Sequence, residues 1–171
     1  MKKANIPSSV ERIGTYAFTG TAIVNNQLES ADIAYIDKWV VDSFYEISDA
    51  NITAGTVGIA DSAFESTELR TVKLPSSLRI IGISAFSDTY LTTVSIPAGV
   101  TTIGTGAFSQ SDYLKSVTVA DSNKNYSSQN GVLYNKNKTV LMQYPVAKTD
   151  KAFSVPSTVT VIDLSLIHIS E

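Results

Sequence analysis

The sequence predicts a mostly β protein: a right-handed solenoid of parallel strands carrying two β-hairpin insertions. Two observations carry that prediction. The dipeptide Ala-Phe recurs in the same frame at Phe18, Phe64, Phe86 and Phe108, spaced 46, 22 and 22 residues apart. Between the later copies runs a second frame, Leu69-x-x-Val72-x-Leu74, Leu91-x-x-Val94-x-Ile96 and Leu114-x-x-Val117-x-Val119. Composition agrees. With 22 Ser, 18 Thr, 16 Ile and 16 Val against 10 Leu, the chain favours strands and turns over long helices.

Each unit can be followed in order. Ile6-Pro7-x-x-Val10-x-x-Ile13-Gly14 leads into the first Ala-Phe, and Ile52-x-x-x-Thr56-x-x-Ile59-Ala60 into the second. The third and fourth follow Leu74-Pro75-x-x-Leu78-x-x-Ile81-Gly82 and Ile96-Pro97-x-x-Val100-x-x-Ile103-Gly104. An incomplete copy starts at Val155-Pro156-x-x-Val159-x-x-Ile162. A unit of 22 to 23 residues lies in the leucine-rich-repeat range. It cannot close a core alone, but stacked units bury a shared column of side chains. Alternation turns Val72 with Leu74, Val94 with Ile96, and Val117 with Val119 to one side of a strand. Leu69, Val72, Leu74, Leu91, Val94, Ile96, Leu114 and Val117 are therefore expected inside, with Phe18, Phe64, Phe86 and Phe108 stacked as an aromatic column. Proline, lacking an N–H, ends each strand, and Gly14, Gly82 and Gly104 mark a turn or a close backbone approach.

Two stretches break the period. Residues 28–51 read as a hairpin, with Ile33 to Asp42 folded about Asp37-Lys38. Residues 120–154 read as a second, with Gly131 to Tyr134 and Thr139 to Pro145 flanking a polar turn at 135–138. The solenoid is expected to form a single domain over 1–164. Residues 165–171 fall outside the frame, resemble translated adapter sequence, and are expected to make few core contacts.

At these residues the chain resembles the BspA-like leucine-rich-repeat proteins, the treponemal repeat class, whose unit runs L-x-x-[VI]-x-[IL]-P-x-x-[VL]-x-x-I-G-x-x-A-F-x-x-C-x-x-L. The family's Cys falls at Thr21, Thr67, Thr89 and Ser111, so each site holds a hydroxyl that needs a hydrogen-bond partner. The resemblance implies a non-catalytic binding or adhesion module of a larger bacterial surface or secreted protein, extracellular, recognising proteins or glycans. The rival is a structural spacer. A carbohydrate-active enzyme on a β-solenoid is the least favoured reading.

Other classes fall on residue content. There is no cysteine, hence no disulfide framework and no thiolate metal site. A net charge of -3 with 13 scattered Lys and Arg gives no nucleic-acid footprint. No apolar run is long enough to span a bilayer, and Met1-Lys2-Lys3 leads into no apolar signal segment. Gly104-Thr105-Gly106 is repeat grammar lacking a third glycine. Asp121-x-Asn123-x-Asn125 opens like a calcium loop, but Tyr126 stands where Gly is needed and Val132 where a carboxylate is needed, so it reads as an exposed linker. The sequons at Asn51, Asn125 and Asn137 carry no weight in a chain of bacterial type. Asp61, Glu65 and Glu68 read as a solvated edge, since nothing opposes them on the next unit. His168 is the single histidine and is assigned no role. No catalytic residue, metal or cofactor is expected, and the chain is expected to be a monomer.

What remains is a surface. Three outward columns follow from the strand register: Lys73, Ser95, Thr118; Thr71, Thr93, Ser116; and Arg70, Thr92, Lys115. The first hairpin carries the one Trp, with Tyr35, Phe44 and Tyr45 beside it. Aromatic residues are enriched at binding hot spots. The expected ligand-binding residues are Tyr35, Trp39, Arg70, Lys73, Thr93 and Lys115.

Overall fold

Alternating burial is the pattern that organises the chain: Val94 and Ile96 are buried while Thr93 and Ser95 are exposed. A strand with one apolar side must cover it, and here the cover is the rest of its own coil and the coils above and below. The computed structural model describes residues 4–163. After a first coil, α1 spans Ala22–Leu28; β1 Ile33–Ile36 and β2 Trp39–Ser43 form the first hairpin. Then come β3 Asp49–Asn51, β4 Gly58–Ile59, β5 Thr71–Lys73, β6 Ile80–Ile81, β7 Thr93–Ile96, β8 Thr102–Ile103 and β9 Ser116–Val119. The second insertion holds β10 Tyr126–Gln129, β11 Val132–Asn135 and β12 Val140–Gln143, and β13 Val161–Ile162 closes the described chain. The expected tail at 165–171, with His168, lies outside the described residues.

Parallel stacking is direct. β3 pairs with β5 and β7 with β9, in registers Ala50↔Val72 and Val94↔Val117, on one side of the coil. On another side β4, β6 and β8 form a parallel ladder, Ile59↔Ile81↔Ile103. Between these sides the Ala-Phe turn continues the ladder: Phe64 N donates to Ala85 O at 2.9 Å and Phe86 N to Ala107 O at 2.8 Å. Proline starts the turn after β5 and β7, its carbonyl accepting from the residue three ahead (Leu78 on Pro75, Val100 on Pro97), whereas Thr53 and Ala120 accept the same bond after β3 and β9. Gly82 sits where a Cβ would lie 2.6 Å from the Ala60 backbone, so close coil contact excludes any side chain there. Gly14 has open space and no such constraint.

The Ala-Phe turn also has a conformational signature. Residues two before and two after each Phe are left-handed: Tyr16, Ser62, Ser84 and Gly106 before, Gly20, Ser66, Asp88 and Gln110 after. Phe64, Phe86 and Phe108 stack, with centroids 5.2 and 5.7 Å apart and rings within 6° of parallel. The hydroxyls in the family's Cys slot find the carbonyl three residues back: Thr67 on Phe64 at 2.8 Å and Thr89 on Phe86 at 3.0 Å. Ser111 joins Thr89 and also reaches Phe86 O.

Several expectations are corrected. Phe18 is half-buried and outside the stack, because the first hairpin takes the place of the first coil beneath Phe64. Val72 and Leu74 are half-buried, not enclosed. A helix, α1, precedes the hairpin. Ile47-x-x-Ala50-x-Ile52 is one more copy of the strand frame, so β3 belongs to the solenoid and not to the insertion. The second insertion has an additional strand, β10, joined to β11 through Asn130-Gly131, both at positive φ. The two insertions work alike: β2 pairs in parallel with β4, and β12 with β13, so each ends by supplying a rung to the next coil.

Candidate functional site

Two polar residues read from sequence as solvated are structural. Asp61 is 2% exposed, its carboxylate accepting from Arg12 Nε at 2.6 Å and from Ile83 N at 2.8 Å. It ties the first coil to the second and third. Asn123 is 1% exposed, donating to the carbonyls of Pro97 and Val100 and accepting from the N–H groups of Asn125 and Tyr126. It is a bracket between the fourth coil and the second insertion. The void beside Gly104-Thr105-Gly106 measures about 40 Å³, room for roughly one water and not for a nucleotide.

The outward side of β3, β5, β7 and β9 is the open surface. Asp49, Thr71 and Thr93 are exposed along one column with half-buried Ser116, and Asn51, Lys73, Ser95 and Thr118 along the next. Ser95 and Thr118 share a hydrogen bond of 3.1 Å. Hydrogen bonds from Thr71 and Ser48 hold the Asp49 carboxyl below its ordinary value. Arg70, Thr92 and Lys115 flank the strands, all exposed. The side chain of Arg70 lies over Tyr90, its guanidinium carbon 5.1 Å from the ring centre. Tyr90 in turn meets Tyr113, centroids 5.2 Å apart.

The six residues expected to bind a ligand divide between two sides of the coil. Arg70, Lys73, Thr93 and Lys115 line the open strand face, whereas Tyr35 and Trp39 belong to the ladder of β1, β2, β4, β6 and β8. Trp39 is 2% exposed and covers Gly58, where its indole leaves no room for a side chain. Tyr35 is half-buried, and its hydroxyl accepts from Thr53 N at 3.2 Å. Their observed contacts therefore seal the hairpin onto the coil. The exposed aromatics Tyr90 and Tyr113 escaped the sequence reading, although each directly precedes the Leu that opens a strand frame.

These coils, registers and stacked phenylalanines can be set against known proteins. The sequence profile of the BspA type leucine rich repeat region matches residues 1–115 in six copies. The chain belongs to this family. It is similar to a leucine-rich repeat protein of Eubacterium ventriosum, 31% identical with a TM-score of 0.62, covering 71% of this chain and 39% of that one. A leucine rich cell surface protein of Faecalibacterium prausnitzii is 37% identical with a TM-score of 0.62, covering 67% and 31% of the respective chains. The pneumococcal vaccine antigen PcpA, 26% identical with a TM-score of 0.70, covers 92% of this chain and 40% of its own. The chain thus spans two fifths or less of each of these BspA-like structures. No curated protein matches it. Among the described residues, no helix is long and apolar enough to cross a membrane.

Proposed function

We propose that this leucine-rich repeat unit is a non-catalytic recognition module of a larger bacterial surface or secreted protein, and that its partner, a protein or a glycan, meets the open strand face. The observation carrying this reading is the set of exposed hydroxyl, amide and charged side chains on two parallel strand pairs, β3 with β5 and β7 with β9, flanked by Arg70 and Lys115. The side chains occur in register within each pair, so a partner meets donors and acceptors at fixed spacing there. Each hydrogen bond gained against water contributes on the order of 1 kcal/mol, so affinity must come from many of them together with the basic flanks. Arg70, Lys73, Thr93 and Lys115 carry the contact. Tyr35 and Trp39 support it by fixing the hairpin.

The test is binding of the purified chain to an immobilised panel of extracellular-matrix proteins and glycans. Saturable binding to one member, lost in Arg70→Ala/Lys115→Ala, supports the module. Binding to none would favour the spacer.

A further inference from the structure

Beside the strand face, the turns of the third and fourth coils enclose a groove of about 190 Å³ lined by Asp88, Thr89, Tyr90, Gln110, Asp112 and Tyr113. Tyr90 is 37% and Tyr113 52% exposed, so both rings are open to solvent in part. Asp88 and Gln110 hold equivalent places in successive turns, both with left-handed backbones that aim their side chains away from the coil core. Among the described residues, the side chains of Asp88, Gln110 and Asp112 form no hydrogen bond or ion pair, whereas Thr89 is satisfied by Phe86 O. The groove therefore offers three unengaged polar groups beside an aromatic surface.

The geometry decides between ligand classes. A cation cage needs ring faces on opposite sides of the charge, each within ~6 Å of it. Centroids 5.2 Å apart leave no such gap, and Tyr90 already holds Arg70. The two rings form one tilted platform, their planes at 42°. A platform with an apolar surface and adjacent acceptors suits a ligand with an apolar face and a rim of hydroxyls. The two carboxylates repel an anionic ligand. The volume lies below that of a drug-sized pocket and so suits a single ring.

We propose that this groove is a subsite for one neutral sugar residue of a glycan, its apolar ring face on Tyr113 and its hydroxyls on Asp88, Gln110 and Asp112. The proposal rests on the recognition reading above and names its ligand class. Arg70 acts as a positioning residue, holding Tyr90 against Tyr113.

The test is an NMR titration of the whole chain with the methyl β-glycosides of glucose, galactose and N-acetylglucosamine, with sialyllactose and tetramethylammonium as contrasting probes. At least one neutral glycoside should give saturable shifts at the amides of Asp88, Gln110 and Tyr113, with millimolar affinity. Tyr113→Ala and Asp112→Asn should each weaken it about tenfold while leaving the rest of the spectrum unchanged. No saturable shift with any neutral glycoside, shifts that survive Tyr113→Ala, or tighter binding of sialyllactose or tetramethylammonium would each overturn the subsite. Should it fail while a panel member still binds through Arg70 and Lys115, the subsite falls and the strand-face reading stands.

Discussion

The hydroxyl of Ser43 donates a 2.7 Å hydrogen bond to the carbonyl of Ala63. In the next two coils the equivalent carbonyls, of Ala85 and Ala107, accept the N–H of the preceding coil's phenylalanine. Ser43, at the end of β2, thus replaces Phe18 N as the donor. This is how a hairpin fits into the stack without leaving a buried carbonyl unmet. Ser43→Ala should cost about 1–2 kcal/mol in urea unfolding, more than a half-buried Ser elsewhere, because the carbonyl loses its partner. A change of a few tenths would mean that water reaches Ala63 O.

The phenylalanine column should be steeply graded. Phe86 has ring neighbours on both sides and no exposure, so Phe86→Ala should cost about 3–5 kcal/mol. Phe18 stands outside the stack, and Phe18→Ala should cost about 1 kcal/mol. Equal losses in the two variants would contradict the displaced first coil.

Trp39 and Gly58 form a lock between hairpin and coil. Gly58→Ala should destabilise by at least ~2 kcal/mol, since the added methyl meets the indole and the backbone beneath is fixed by pairing with β2. Trp39→Ala should likewise cost about 3–5 kcal/mol. Thermal melts of the two variants check this, and a Trp39→Ala chain with unchanged melting would return the indole to the list of ligand contacts.

Alkali should weaken the fold. Burial pushes the phenol of Tyr126 above its ordinary value, with the Ile103 N–H pulling the other way, and burial and Tyr144 push up Tyr134. The folded chain then holds protons that the unfolded chain releases near pH 10, so the contribution of these two phenols is level below about pH 9 and falls as pH rises beyond it. Tyr134→Phe should flatten that fall, measured as urea midpoint against pH. A midpoint that rises above pH 10 would contradict the sign.

The repeat was legible because a solenoid writes its contacts into the period: Val94 over Val117 and Phe64 over Phe86 each stand one unit apart. The insertions hid more. Ile47-x-x-Ala50-x-Ile52 lies 22 residues before Leu69-x-x-Val72-x-Leu74, but Ala50 among Asp49 and Asn51 masks it as a polar turn. Asn130-Gly131 is a strong hairpin signal, yet Tyr126–Gln129 has too few apolar residues to read as a strand. Asp61 and Asn123 looked solvated because their partners, Arg12 and the carbonyls of Pro97 and Val100, are distant in sequence. Trp39 was read by residue type, and residue type does not distinguish a lid from a hot spot. The strand-face members of the candidate site were readable from the columns, whereas Tyr90 and Tyr113, though one unit apart, lie in the variable turn before the strand frame, where the repeat sets no residue type.

The most direct measurement of the central claim is the affinity of Thr93→Arg/Ser95→Arg for whichever panel partner the native chain binds. Both positions are exposed, and their neighbours on β9, Ser116 and Thr118, keep the register. The melting temperature should therefore stay within about 2 °C of the native value. The account predicts that affinity falls at least tenfold at unchanged stability, because two bulky cations then stand in the middle of the face. Native affinity in a stably folded double variant would contradict it.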